Sequence, residues 1–174
     1  NAISNQDMAL IDKFPEIKLP NKFYLNKKEL KFDDAASRIK NDKATYSNGA
    51  AYADLDNDGD LDMVVNNIDD EVLVYSNKTN DNKKNHWVSL KLEGNKENIN
   101  AVGAKVIVFA NEQVQLYEKQ TVRGFQSSME IPLHIGLGSA KPDSIFLIWP
   151  DNSYEKITIP IDTTFSIKYK TGLP

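Results

Sequence analysis

The chain has 174 residues, of which 40% are hydrophobic and 26% are charged, and this ordinary globular mixture excludes wholesale disorder and collagen-like repeats. A formal net charge of -4 lacks the basic field that neutralises phosphates, so a general nucleic-acid binder is excluded. No apolar run approaches the roughly 20 residues that span a bilayer, and no cysteine is present for a disulfide or a thiolate site.

The beginning of the chain predicts one short helix, and the rest predicts strands. Apolar residues recur at helical spacing between Asn5 and Phe14, so an amphipathic helix is expected there, ended by Pro15. Short apolar runs separated by Asn, Asp, Gly and Lys clusters then follow, which is typical of an all-β protein. The predicted strands are Lys22–Asn26, Gly49–Asp54, Asp62–Asn66, Val72–Ser76, Trp87–Leu92, Ala104–Phe109, Gln113–Val122, Ser144–Trp149, Lys156–Ile159 and Thr164–Tyr169.

A polar segment predicts where the chain divides. Residues 77–85 contain no apolar side chain, so they are expected to form a linker outside any core. We therefore predict one domain over residues 1–84 and another over residues 85–174. The second has the length and the number of strands of a small antiparallel β-sandwich.

The most specific sign of a chemical function is an acidic run in the second half of the first domain. Its carboxylates occupy alternate positions, and they are Asp54, Asp56, Asp58, Asp60 and Asp62. Carboxylates this close repel one another unless a cation lies among them. Hard oxygen donors at this density favour calcium over transition metals, and Gly59 supplies a sharp turn.

The acidic run resembles the first half of an EF-hand loop but continues differently. Val65 stands where an EF-hand needs its bidentate Glu, and the residues around it predict a strand instead of a helix. We predict that calcium is bound by the side chains of Asp54, Asp56, Asp58 and Asp62 and by the backbone carbonyl of Asp60. The alternatives are a solvated acidic turn without metal, a magnesium site and a catalytic pair of carboxylates.

The residues around this loop resemble an FG-GAP or VCBS-type repeat, the calcium-loop blade of integrin-like β-propellers. The resemblance centres on Ser47–Asp62 and covers residues 21–77. Two strand-like segments within it, 21–26 and 71–77, are similar to each other and close with Asn residues about 50 positions apart, a spacing in the range of propeller repeats. The resemblance implies one propeller-blade-like unit, with the remaining blades upstream in a longer chain.

The second part resembles the ASPIC/UnbV domain, which also occurs in cartilage acidic protein after an FG-GAP region. The residues that carry the resemblance are Asn98–Val106, Ile135–Gly138 and Trp149–Asn152. Ile135 replaces the Phe that is usual in the family, and Asn152 replaces a Gly. Asn tolerates the left-handed conformation of Gly, so a turn is still expected at Asn152.

The two resemblances together imply an exported protein of the extracellular space or cell envelope, and they imply that the chain is the C-terminal part of a larger bacterial envelope protein. The implied function is a calcium-binding interaction or adhesion module without catalytic activity, whose protein or glycan partner is not identified. A carbohydrate-binding module of a glycan-utilisation system is the alternative, if Trp87 and Trp149 are exposed for stacking on sugars. Core packing is the default for both tryptophans.

Other candidate residues favour structural roles. His86 and His134 are expected to be structural or surface residues, because no partner makes either a general base or a zinc ligand. Gly136-Leu137-Gly138 lacks the Lys and Ser/Thr of a phosphate-binding loop, and we predict a turn there. Ser127-Ser128 has no base nearby in the sequence, so no catalytic residue is assigned.

Overall fold

The computed structural model describes residues 13–40, 42–130 and 132–174. Within these residues the only helix is a 3-10 turn at Ala36–Arg38, and strands account for 45% of the structure. The prediction of an all-β protein is confirmed. Most of the predicted helix at residues 5–14 lies outside the described residues, and its last two residues, Lys13 and Phe14, form a turn and a bend.

The strands follow one another along the chain with short connections. They are β1 (Tyr24–Asn26), β2 (Phe32–Asp34), β3 (Tyr46–Ala53), β4 (Asp62–Ile68), β5 (Leu73–Tyr75), β6 (His86–Glu93) and β7 (Lys105–Ala110). The remaining strands are β8 (Gln113–Glu118), β9 (Val122–Gly124), β10 (Ser127–Ser128), β11 (Leu133–Gly138), β12 (Ser144–Ile148), β13 (Tyr154–Ile157) and β14 (Thr163–Lys168).

Two sheets share the main hydrophobic core, as in a β-sandwich. One has the strand order β11-β6-β14 and the other β13-β12-β7-β8. Strands β6, β7, β11 and β12 send alternate apolar side chains into the core, because successive residues of a strand point to opposite faces. The fully buried large side chains are Val88, Leu90, Val106, Val108, Ile135, Leu147 and Trp149.

One strand pair departs from the expected antiparallel sandwich. β14 pairs with β6 in parallel, in a register that runs from Thr163 opposite Val88 to Lys168 opposite Glu93. Parallel neighbours need a long crossover connection, and here the intervening chain forms all the other strands of the sandwich. β6 therefore lies in the middle of a mixed sheet, with an antiparallel neighbour on its other side.

The predicted turn at Gly136-Leu137-Gly138 is wrong, because these residues end strand β11. Leu137 is buried with Leu133 and Ile135 and so continues the inward-facing series of β11. Gly136 faces the opposite side of the sheet. The alternation of inward-facing Leu and Ile therefore outweighs the preference of Gly for turns. The register of the pair with β6 shifts only between Gly136 and Gly138.

The turn expected at Asn152 is present between β12 and β13. Asn152 has a φ of 67°, in the left-handed region, and its backbone N–H donates to the carbonyl of Trp149 at 2.9 Å. Asp151 accepts hydrogen bonds from the backbone N–H and hydroxyl of Ser153. Asn152 thus adopts the left-handed conformation expected of this turn, as the tolerance of Asn for positive φ predicts.

The described chain also contains three smaller sheets and divides into two compact units. The smaller sheets are β1-β2, β9-β10 and the three-stranded β3-β4-β5. One unit comprises residues 1–48 and 66–72, and the other comprises residues 49–65 and 73–174. This division places the acidic loop in the same unit as the sandwich. The predicted boundary between residues 84 and 85, and the blade-like repeat, stay predictions.

The smaller unit is organised by polar contacts. The hydroxyls of Thr45 and Ser47 both donate to the side-chain oxygen of Asn67, at 3.0 and 2.9 Å. Lys18 forms an ion pair of 2.7 Å with Asp70. The ammonium group of Lys18 also lies 5.3 Å from the centre of an aromatic ring, that of Tyr46.

Candidate metal centre

Three of the predicted ligands converge in the loop that joins β3 to β4. Carboxylate oxygens of Asp54, Asp56 and Asp58 all lie within 4.8 Å of one another. Asp56 is exposed, whereas Asp54 and Asp58 are half-buried. Three like charges at this separation destabilise the folded loop, and a divalent cation among them would remove the repulsion.

Hydrogen bonds within the loop hold this arrangement. Asp54 accepts the backbone N–H groups of Asp58 and Gly59, both at 3.1 Å, one on each carboxylate oxygen. Asp58 accepts the N–H of Asp60 at 3.0 Å. Each carboxylate oxygen has a second lone pair, so these oxygens remain able to bind a metal ion. These hydrogen bonds fix the shape of the loop.

Gly59 lets the loop lie directly against the sandwich. Its φ of 91° is in the region that favours glycine, and the indole of Trp87 occupies the space that a Cβ would need. The Trp87 ring stacks in turn on the ring of His134, with centroids 5.7 Å apart and an angle of 16° between planes. The glycine therefore couples the acidic loop to β6 and β11.

His134 has a structural position, as the sequence predicts. It is half-buried beneath the acidic loop, between the Trp87 ring and the loop backbone. Burial lowers the pKa of His134, while the charge of Asp54 and a hydrogen bond to the backbone of Gly59 act in the opposite direction.

Asp62 ties the end of the loop to its start and to the segment after β5, and it does not join the three converging carboxylates. Its Oδ2 accepts the N–H of Leu55 at 3.0 Å, and its Oδ1 accepts the N–H of Asn77 at 2.8 Å. The residue is only 3% exposed. Its predicted role as a calcium ligand stays a prediction, but the structure gives it a bracing role.

Asp60 is buried, and its side chain is incompletely paired. It is 8% exposed, and its Oδ2 accepts the N–H of Asn80 at 2.8 Å. Its Oδ1 is buried and, among the described residues, has no hydrogen-bond partner. Burial raises the pKa of Asp60, and the charge of Asp58 adds to the increase. The sequence predicts a backbone ligand here, whereas the structure shows a buried carboxylate with one free oxygen.

Residues that the sequence assigns to a linker support the loop from beneath. Asn80 is 4% exposed, donates from Nδ2 to the carbonyl of Asp58 at 2.8 Å and accepts the N–H of Asn85 at 3.0 Å. The side chain of Asn77 donates to the carbonyl of Leu61 at 3.3 Å. Asn80 is therefore buried by polar contacts, although it lies outside the hydrophobic core cluster, and the linker stays a prediction. The signal for this role was the repeated Asn, since amides can be buried when they are hydrogen-bonded.

The two tryptophans do not form an exposed stacking surface. Trp149 is 1% exposed, donates to Glu155 at 3.1 Å and meets the ring of Tyr169 edge to face at 5.3 Å. Trp87 is half-buried between Gly59 and His134. Core packing is confirmed for Trp149, and Trp87 packs beneath the loop.

A serine and a histidine lie opposite each other in the sheet, but without the hydrogen bond that activates a nucleophile. Ser89 lies directly opposite His134 in the β6–β11 pair. Among the described residues, the Ser89 hydroxyl makes no hydrogen bond, whereas an activated serine needs one to its base. Ser127 donates to the carbonyl of Phe125 and accepts the N–H of Ala50, so it has a structural role.

Comparison with known proteins identifies the domain that contains most of the sandwich. Residues 94–174 match the family model described as ASPIC and UnbV, which is somewhat less than half of the chain. This part of the chain therefore carries an ASPIC/UnbV domain, as the sequence predicts. No curated protein matches the chain. The FG-GAP or VCBS resemblance stays a prediction, and no helix among the described residues is long and apolar enough to cross a membrane.

Proposed function

We propose that this chain is a calcium-binding interaction module, without catalytic activity, of an extracellular or cell-surface protein. The observation that carries the proposal is the convergence of the Asp54, Asp56 and Asp58 carboxylates within 4.8 Å. The buried, unpaired oxygen of Asp60 in the same loop supports it. A net repulsive arrangement of this kind is stabilised when a cation binds.

The donor set favours calcium. Calcium takes six to eight oxygen ligands in flexible geometry, and a short loop of carboxylates and backbone carbonyls offers only oxygen. The lack of cysteine and of any histidine in the loop disfavours zinc and copper. Asp56 accepts no hydrogen bond from the described residues, so its oxygens are the most available.

Calcium would act on the sandwich through the packing of the loop. The loop lies on Trp87 through Gly59, so a cation that orders the loop would also order the start of β6. The ASPIC/UnbV domain suggests a non-catalytic extracellular module. The FG-GAP resemblance supports export and adhesion, with further blades upstream and a protein or glycan as partner.

The structure gives less support to the alternative of a carbohydrate-binding module that uses tryptophan platforms. Trp149 is buried, and Trp87 is covered by the acidic loop. Neither ring is presented flat to solvent as sugar stacking requires. The interaction module is therefore the favoured function.

Thermal unfolding in EDTA and in calcium tests the proposal. Calcium should raise the melting temperature, because it binds the folded state, and the stabilisation reaches about 2.7 kcal/mol at a free concentration 100 times the dissociation constant. Asp58→Ala should remove most of this response. An unchanged melting curve in the two solutions would contradict the calcium site.

The substitution Asp56→Asn tests whether Asp56 binds the metal ion or has only a structural role. Because Asp56 has no hydrogen bond to lose, removing its charge should raise the melting temperature in EDTA and reduce the response to calcium. Asp143→Asn is the matched control, since Asp143 is exposed and distant in sequence from the loop. A variant of Asp56 that keeps the full calcium response would show that the ion binds elsewhere.

A further inference from the structure

A cavity of about 250 Å³ lies between the acidic loop and the β11-β6-β14 sheet, within one compact unit of the chain. Asp54 and Leu61 line it from the loop, and Pro132 lies at the start of β11. Its volume is below the roughly 300 Å³ at which pockets for drug-sized ligands begin, so it suits a single small ring.

Three polar side chains form one row on the floor of this cavity. Ser89 lies opposite His134 in the antiparallel pair and beside Thr164 in the parallel pair. All three line the cavity. Val88 and Leu90 point into the core, so alternation along β6 turns Ser89 away from the core and toward the cavity.

The hydroxyls of this row have no partners in the protein. Ser89 is only 9% exposed, yet its hydroxyl makes no hydrogen bond with any described residue, and neither does that of Thr164. Thr164 is exposed and the Ser89 hydroxyl is not fully enclosed, so both hydroxyls are accessible from the cavity. A ligand that both donates and accepts hydrogen bonds would satisfy these groups, since each hydroxyl has one donor and two acceptor positions.

The charged groups that line the cavity favour a neutral ligand over an anionic one. No Lys or Arg lines it, so an anionic ligand finds no countercharge. Asp54 supplies the only charged side chain of the lining, and a calcium ion bound by the loop would neutralise it. Leu61 and Pro132 offer apolar contact to the C–H groups of a ring.

We propose that this cavity binds one neutral, hydroxyl-rich ring, a sugar, through the Ser89, His134 and Thr164 row. The choice of a neutral ligand rests on the proposed calcium, whereas the cavity and the row of polar groups do not. The site is distinct from the tryptophan platforms considered above, because neither Trp87 nor Trp149 lines the cavity.

Chemical-shift titration of the whole chain in calcium tests the site. The probes are glucose, galactose, mannose, fucose and N-acetylglucosamine, each as the free sugar and as its methyl glycoside. At least one should shift the amide signals of Ser89, His134 and Thr164 in a saturable way. If the methyl glycoside binds as tightly as the free sugar, the ligand is the terminal residue of a glycan. If only the free sugar binds, the ligand is a monosaccharide.

Two conservative variants locate the binding. Thr164→Val and Ser89→Ala should each weaken binding about fivefold, the effect of one lost hydrogen bond. Ser166→Ala is the control, since Ser166 is exposed on β14 two residues along and does not line the cavity. Thr164 is exposed on an edge strand, so its variant is expected to fold even if Ser89→Ala does not.

The outcomes separate this inference from the proposed function. No saturable shift at the row with any probe, or equal binding by Thr164→Val and wild type, would overturn the sugar site. Calcium stabilisation is measured on the same samples. A normal calcium response without sugar binding refutes only the cavity, whereas sugar binding without a calcium response refutes only the metal site.

Discussion

Gly59 connects the acidic loop to the sandwich through the absence of a side chain. Gly59→Ala must place a methyl group in the space of the Trp87 indole and also hold a φ of 91°. We expect a loss of at least about 2 kcal/mol, from the left-handed backbone and the overpacking together. Urea unfolding measures it.

Gly103→Ala is the matched control for this substitution. Gly103 has a nearly equal φ of 89°, but nothing lies within 4 Å of the position that its Cβ would take. Both variants therefore carry the backbone strain, and only Gly59→Ala carries the collision. If the two variants lose the same stability, the contact between the loop and Trp87 has no energetic role.

The hydrogen bonds of Asp151, in the turn before β13, predict that the stability of the protein depends on pH. Hydrogen bonds from the Tyr169 hydroxyl and from Ser153 lower the pKa of Asp151 below its usual value of 3.8. A lowered pKa in the folded state stabilises the protein above pH 3.8, and this contribution disappears as the pH falls through the folded value. Asp151→Asn should therefore lower the melting temperature at neutral pH, and the difference from wild type should shrink in acid. A difference that is constant with pH would assign the effect to geometry instead of charge.

At the scale of elements, Asn80 in the segment 77–85 supports the acidic loop. Asn80→Ala removes the hydrogen bond to the carbonyl of Asp58 and leaves that carbonyl and the N–H of Asn85 without their partner, both in half-buried residues. We expect a loss of about 1–3 kcal/mol in denaturant unfolding. Asn82→Ala is the control in the same segment, because Asn82 is exposed. Equal effects of the two variants would contradict this role of Asn80.

Strand β11 shows why a local sequence pattern that contains glycines can predict a turn where the chain forms a strand. Two glycines in three residues favour a turn when they are considered alone. In the folded chain Gly136 lies on the outer face, where no side chain is needed to fill the core, and Leu137 remains inside. Pairing with β6 then determines the strand, and a partner distant in sequence is not visible in a local pattern.

At the scale of the whole molecule, the folding unit is larger than the family match. The match begins at residue 94, but β6 ends at Glu93 and is the central strand of its sheet. A fragment of residues 94–174 loses Val88, Leu90 and Leu92 from the core, at about 1.5–3 kcal/mol each, which is comparable with the total stability of a domain.

We therefore expect the fragment 94–174 to be unfolded and the fragment 85–174 to fold. All residues of the main core cluster lie between Val88 and Leu173, so the longer fragment keeps the whole core. Circular dichroism and the dispersion of amide signals distinguish the two. A folded fragment 94–174 would show that β6 is dispensable, and an unfolded fragment 85–174 would contradict the predicted boundary at residue 85.

The sequence by itself determined the all-β class, most strand positions, the ASPIC/UnbV domain and the acidic loop. These features depend on local alternation, on turn residues and on a dense run of carboxylates, all of which are visible in a short window of sequence. The turn at Asn152 belongs to the same group, because it depends on the conformational range of one residue.

Only the tertiary structure decided which carboxylates converge and what surrounds them. Asp54, Asp56 and Asp58 meet, whereas Asp62 braces the loop ends and Asp60 is buried against Asn80. The cavity needs three strands and a loop that are far apart along the chain. Spacing shows which oxygens can approach one point, but backbone amides from distant segments compete for the same oxygens, and that competition is settled only when the chain has folded.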